Sequence, residues 1–484
     1  MRVLLLNPPF MPKFSRTSRS PAVTKGGTIY YPYWLAYATG VLEKNGFEVK
    51  LIDAPARGVS HGQVIKISKN FHPDLVVVDT STPSIYNDTK FAEAIKNATS
   101  SFVTLVGTHV STLPEETLRL SKKIDAVARR EYDYTILELA QELEKRKRLE
   151  KVLGISFREN NRIIHNPDRP FIKNLDELPF VSGVYKKHLR IEDYFYATVF
   201  HPEVAILSGR GCPYGCSFCL YTQVFWSRTY RLRSAKNVVD ELEFINNELP
   251  QVREVMFEDD SMASMTTAKR CREICKEIIK RKLKIGWVAN SRADVDYETL
   301  KLMKKAGCRL LCVGYESMSQ LILNKIHKGI TIEMMKKFTE NAKKVGLQIH
   351  GCFILGLPFD NFKTTIETIK FATKLNIDSA QFYPLMVYPG TESYDWAKEN
   401  GYLITEDYSQ WLTPEGWHNC MVSRPGLSNQ KLVKICDKAR ISFYLRPNYF
   451  SKRFKLFIKN WDEAKRTFMS GKTFFKYLLR ILIG

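Results

Sequence analysis

The chain has 484 residues, 44% of them apolar, and a formal net charge of +22. That length can bury large cores and divide into about two to four domains, and no apolar run is long enough to span a bilayer. The charge points to an acidic partner or surface, whether nucleic acid, anionic lipid or a phosphorylated substrate, and does not choose among them.

The first segment, Leu4-Leu5-Leu6-Asn7-Pro8-Pro9, reads as a core strand and not as an export signal, which predicts a cytoplasmic location. β-rich runs at 3–6, 49–53, 75–79, 103–106 and 126–128 alternate with helix-length periodic segments. This predicts an α/β domain over 1–150 with a doubly wound parallel sheet. Ligands of such sheets lie beyond the carboxyl ends of the strands, so loops 7–9, 53–58, 80–84 and 107–109 are candidates.

Residues 151–199 read as a linker with a hairpin turn at Asn160-Asn161 and breaks at Pro167, Pro170 and Pro179. A second series of strands follows at 204–207, 255–257, 285–289, 310–313, 349–355 and 380–383, each ahead of a helical segment. Six such units over 200–400 predict a partial (βα)6 barrel, whose site lies at the carboxyl ends of the strands. Residues 401–484 are predicted to be a helical, basic and aromatic-rich C-terminal region. From Arg446 onward there are ten Lys or Arg against Asp462 and Glu463, interleaved with Phe454, Phe457, Trp461, Phe468, Phe474 and Phe475. Two readings stand: a peripheral contact with the inner face of a membrane, or aromatics packed on the protein's own core.

Cys212, Cys216 and Cys219 follow the first barrel strand at intervals of four and three residues. Three thiolates on one loop suit three irons of a [4Fe-4S] cluster and leave the fourth iron open. Zinc would want a fourth ligand at short spacing, and disulfides do not suit a reducing compartment. The other seven cysteines, Cys271, Cys275, Cys308, Cys312, Cys352, Cys420 and Cys436, read as small buried apolar residues.

With Phe218 before the last cysteine, this pattern resembles the radical S-adenosylmethionine (SAM) superfamily. The resemblance implies that SAM chelates the open iron and is split to a 5′-deoxyadenosyl radical. It also implies SAM contacts from Asp259 or Asp260, from Asn290, Ser291 and Arg292, and from Glu316. The first domain is similar to the cobalamin-binding module that precedes many radical SAM domains. Asp53, Pro55, Gly58, Thr80, Ser81, Gly107, Thr108, His109 and Glu131 are the implied corrin contacts. Asp53-Ala54-Pro55-Ala56-Arg57-Gly58 holds no histidine where some members ligate cobalt, so the resemblance implies base-off cobalamin with no protein imidazole.

Together the cofactors imply methyl transfer to an unactivated carbon, or else radical ring closure, contraction or carbon–carbon coupling. The aromatic run at 30–35, with segments 51–55 and 444–447, most resembles members acting on hopanoid and other lipids, with porphyrin esters as a further substrate type. Tyr383, Tyr388, Trp411 and Trp417 are candidate substrate lining. A flavodoxin, ferredoxin or reductase is the implied electron donor, and no nucleic acid is expected. An RNA-modifying enzyme or a non-catalytic cobalamin carrier would fit fewer of these features.

Overall fold

The computed structural model describes residues 1–145, 148–160, 162–226 and 228–483. Asn161 of the expected turn and Gly484 of the tail lie outside the described residues.

Five strands open the chain: β1 (Arg2–Asn7), β2 (Glu48–Asp53), β3 (Leu75–Thr80), β4 (Phe102–Gly107) and β5 (Ala126–Ala128). They run parallel in the order β2-β1-β3-β4-β5. Leu4, Leu5 and Leu6 of β1 and Val76, Val77 and Val78 of β3 are fully buried, so neither face of these strands meets water. The hairpin of the connector, β6 (Ile155–Glu159) and β7 (Arg162–His165), extends this same sheet, with β6 antiparallel to β5. Three-residue β5 leaves an open edge, and the hairpin covers it.

The second sheet has six parallel strands in sequential order: β8 (Glu203–Ile206), β9 (Glu254–Phe257), β10 (Gly286–Ser291), β11 (Cys308–Glu316), β12 (Gln348–Leu355) and β13 (Ser379–Pro384). A helix follows each strand, which gives the partial barrel. The strands run further than expected: Asn290 and Ser291 end β10, and Gly314, Tyr315 and Glu316 end β11.

Two segments join the sheets. Residues 8–32 form a strap that Pro8, Pro9, Pro12, Pro21 and Pro32 keep out of helix. It reaches the connector, where the Ile29 amide donates to the Phe195 carbonyl at 2.8 Å. The helix Tyr33–Lys44 follows and is buried from Tyr33 to Leu42. Trp34 packs on Trp226 with ring centroids 4.5 Å apart, and Tyr31 stacks between Tyr194 (3.7 Å) and Tyr185 (4.2 Å). Most of the aromatic run that carried the resemblance to lipid-handling members is therefore buried packing between the two sheets.

The helical C-terminal region begins later than expected. Residues 401–428 hold one short turn, Tyr408–Trp411, because Pro414, Gly416, Pro425 and Gly426 break any longer helix. Helices Asn429–Tyr444, Pro447–Lys459 and Trp461–Ile483 follow. The last one starts beside the amino ends of the barrel strands, where Asp462 pairs with Arg253 (2.8 Å) and Glu463 accepts from Gln348 (2.8 Å). None of the described helices is long and apolar enough to cross a membrane.

Candidate active site

The cysteine loop leaves the barrel after β8 and is anchored from several directions. The Gln223 amide nitrogen donates to the carbonyls of Cys216 (3.2 Å), Ser217 (3.1 Å) and Cys219 (3.0 Å), while its oxygen accepts from the Glu392 amide (3.0 Å). The Ser217 amide donates to the Ile326 carbonyl (3.1 Å), and the Arg292 guanidinium lies 3.5 Å from the centre of the Tyr214 ring. Burial, then Asp260, then the neighbouring Cys219 and Cys216 push the Cys212 thiol up to about 12. Burial and Asp260 also raise Cys219. The thiols are thus near neighbours, though among the described residues no three His, Cys, Asp or Glu side chains already converge as a metal cage. Soft sulfur donors on one pinned loop fit an iron–sulfur cluster. Among the other cysteines Cys352 is half-buried and the remaining six are buried.

Beyond β9 the acidic segment divides its side chains by strand alternation. Asp259 turns away and accepts from the Ser208 amide (2.9 Å), the Ser208 hydroxyl (2.8 Å) and the Tyr230 hydroxyl (2.8 Å). Its oxygens are occupied in holding Ser208, just after β8, to Tyr230. Glu258 and Asp260 instead meet Arg19 of the strap, at 2.7 and 2.9 Å, and Asp260 also accepts from the Trp226 indole (2.7 Å). Glu258 keeps one buried carboxylate oxygen without a partner. An orphaned acceptor on the segment whose Asp260 acts on the cysteine loop fits an ammonium donor such as that of SAM.

The other expected SAM contacts are engaged within the chain. Asn290 donates to the Asp259 carbonyl (3.0 Å), and Ser291 donates to the Ala263 carbonyl (3.1 Å). Arg292 pairs with Asp294 (2.9 Å) and donates to the Lys328 carbonyl (2.6 Å). Glu316, at φ +63°, pairs with the buried Lys328 ammonium (2.8 Å). Burial opposes the charge on Lys328, but Glu316 and the nearby Cys216 thiol raise its pKa. Gly314 is needed here: a Cβ would stand 2.4 Å from the Glu316 carboxylate and 3.0 Å from the Lys328 ammonium.

At the carboxyl end of the first sheet, Asp53 accepts from Asn7 (2.8 Å), Tyr194 (2.9 Å) and the Ala56 amide (3.3 Å), and burial pushes its pKa up to about 6. It caps the turn Ala54–Arg57, in which Pro55 is an early residue and Gly58 the left-handed stop. Thr80 donates to the Val106 carbonyl (2.7 Å), Ser81 bonds Ser84 (2.8 Å), and Thr108 opens the helix Thr108–Thr112. Gly107, at φ +117°, lets that turn pass the Thr80 carbonyl, which a Cβ would meet at 2.3 Å. His109 sits beside Thr82 (3.3 Å) and against the Tyr408 ring, and burial lowers its pKa to about 3. Three buried polar atoms here have no partner: Asp79 Oδ2, His109 Nε2 and the Tyr132 hydroxyl. Such a set fits a large ligand with amide and phosphate groups, as cobalamin has.

Glu131 serves the joint between the domains. It receives Arg210 (2.7 Å), Arg231 (2.7 Å) and the Ile172 amide (3.0 Å), and Asp133 receives the same Arg210 at 2.8 and 3.1 Å. Arg210 lies two residues before Cys212, so a buried ion pair fixes the cysteine loop to the first sheet. Arg16 anchors the strap within the first domain, pairing with Asp88 at 2.5 Å with both side chains fully buried. Glu258, Gln223, Lys328, Arg16 and Arg19 were not singled out as site residues from the sequence.

The radical SAM superfamily matches residues 206–372, and the B12 binding domain matches 19–140. An uncharacterised methyltransferase of Pyrococcus horikoshii is 34% identical over 454 residues, spanning 93% of this chain and 94% of the relative. The chain belongs to the cobalamin-binding radical SAM family. An anaerobic magnesium-protoporphyrin IX monomethyl ester cyclase of Rubrivivax gelatinosus is 27% identical over 457 residues, covering 92% of this chain and 79% of the relative. The fold is that of the radical SAM methyltransferase TsrM from Kitasatospora setae, at TM-score 0.71 and 16% identity, over 98% of this chain and 99% of that one. As a cobalamin-dependent radical SAM enzyme, the chain works with a [4Fe-4S] cluster, SAM and cobalamin.

Proposed function

We propose that the chain transfers a methyl group to an unactivated carbon of a lipid or other secondary metabolite. The observation that carries this reading is the near end-to-end likeness to a relative named as a methyltransferase. When bound, the cluster and SAM supply a hydrogen-abstracting radical, and cobalamin supplies the methyl group. The chain's own part is to hold and exclude. Cys212, Cys216 and Cys219 hold the iron, and Glu258 with Asp260 receives the SAM ammonium. The buried Lys328–Glu316 pair lies beside Cys216, where its charges bear on the cluster. Residues beyond β1 to β4, Gly107 and Thr108 among them, would hold the corrin, and the loop 53–58 after β2 offers no imidazole to its cobalt.

Ring closure without methyl transfer is the second reading, favoured by the name of the Rubrivivax relative. The two differ in a count that needs no substrate. Reduced holoenzyme given SAM is expected to release one S-adenosylhomocysteine per bound corrin as the methyl group is loaded; a ring-closing enzyme would release none.

An acidic flavodoxin or ferredoxin suits the net charge of +22 as electron donor. The tail supports a peripheral membrane contact: Trp461 is 81% exposed, and Phe454, Phe468 and Phe475 are also well exposed among basic residues. Full-length protein is expected to float with liposomes containing anionic lipid and to remain below with neutral ones. Recovery in the bottom fraction in both cases would end this reading.

A further inference from the structure

A small pocket of about 30 Å³ lies against the later half of β13, lined by Tyr383, Pro384, Trp417 and His418 together with Lys25 and Arg440. Its polar groups come from three distant segments. Lys25, on the strap, is 2.8 Å from Asp437 Oδ1 and lies 5.0 Å from the centre of the Trp417 ring and 4.8 Å from that of Tyr477. Arg440 reaches the same Oδ1 at 2.5 Å and also donates to the Phe382 carbonyl. Tyr477, from the last helix, donates to that oxygen too, at 2.5 Å.

One carboxylate therefore answers two cations, and the cluster keeps an excess positive charge. His418, lowered to about 4 by burial, and Cys436, pushed up to about 12 by burial, add no charge near neutral pH. Burial and then Arg440 lower Lys25 to about 8, against the pull of Asp437. A partly buried excess of this kind is relieved by an anion, and the aromatic walls suit an apolar body behind it.

We propose that this pocket anchors the substrate through a carboxylate or phosphate group held by Lys25 and Arg440. The proposal rests on the reading of the chain as an enzyme acting on carbon. The strap supports it: Arg19 meets Glu258 and Asp260, Ser20 bonds His418 (2.8 Å) and Tyr388 (3.0 Å), and Lys25 meets Asp437. Six residues of extended chain span at most about 20 Å, which bounds the backbone separation of Arg19 and Lys25. With so little open space, the ligand enters by displacing the Lys25–Asp437 contact.

The test titrates holoenzyme at constant ionic strength, set with chloride, and follows thermal midpoint and tryptophan fluorescence. Inorganic phosphate and a short-chain phosphatidic acid are the two probes. Saturable binding to either, weakened tenfold or more in Lys25→Met and retained in Lys25→Arg, supports the subsite. The tighter probe tells whether the anion arrives free or on an amphiphile. Equal curves for wild type and Lys25→Met, or a response no different from chloride, overturn it. SAM cleavage is followed alongside. If 5′-deoxyadenosine forms without Lys25-dependent binding, the subsite alone fails; binding without 5′-deoxyadenosine removes the enzymatic reading instead.

Discussion

Gln223→Leu keeps the volume of a side chain that pins the cysteine loop and removes its hydrogen bonds. The two amide hydrogens serve three loop carbonyls, and the oxygen serves the Glu392 amide. Counting about three bonds at about 1 kcal/mol each, the ordered loop loses about 3 kcal/mol, roughly a hundredfold in the ratio of ordered to disordered loop. Most of that loss falls on cluster retention, because three of the four contacts of Gln223 are with the cysteine loop itself. The assay is anaerobic reconstitution followed by a chelator challenge, with iron and sulfide measured per chain. Variant protein is expected to lose iron at much lower chelator concentration while its thermal midpoint without iron stays near wild type. Equal iron retention would refute the argument that Gln223 orders the loop.

Glu258→Gln is expected to weaken SAM binding about tenfold by equilibrium dialysis, since it removes a charge-assisted acceptor. Asp259→Asn should instead lower thermal stability with smaller change in SAM affinity, because its oxygens are bound to Ser208 and Tyr230; the reverse pattern would overturn the assignment. Arg210→Met leaves Glu131 and Asp133 buried with a cation removed, which costs about 3–5 kcal/mol. Calorimetry should register a lower midpoint, and a loss under about 1 kcal/mol would contradict the buried lock. Although burial opposes it, Arg466, Arg309 and Arg453 hold Glu463 down to about 2. Its folded pKa is depressed, so its stabilisation is present above about pH 4.5 and is lost as pH falls toward 2. Denaturant midpoints of Glu463→Gln should change less over that window than those of wild type.

Much of the fold was legible because strands buried on both faces read as continuous apolar runs, as Leu4 to Leu6 and Val76 to Val78 do. The three cysteines were legible because cluster chemistry needs its ligands close in sequence. The rest depends on contacts across long separations. Arg19 meets a carboxylate 239 residues away, and Arg210 meets Glu131 at a separation of 79. No periodicity marks the strap that makes the first of these. The acidic segment was legible as a candidate, yet choosing among Glu258, Asp259 and Asp260 needed the alternation at the tip of β9 and knowledge of what lies on each side. Glu131 looked like a ligand contact because it follows β5, where the crevice opens, and the two arginines that occupy it come from the other domain. The hairpin at 155–165 read as linker because its alternation is short, and only the uncovered edge of β5 explains its place.

The central claim is tested most directly by reconstituting the chain anaerobically with iron, sulfide and hydroxocobalamin, reducing it, adding SAM, and following 5′-deoxyadenosine together with corrin absorbance. The expected result is retained corrin with 5′-deoxyadenosine from wild type and none from Cys216→Ala. Corrin that washes away, or 5′-deoxyadenosine that forms equally without Cys216, would contradict the account.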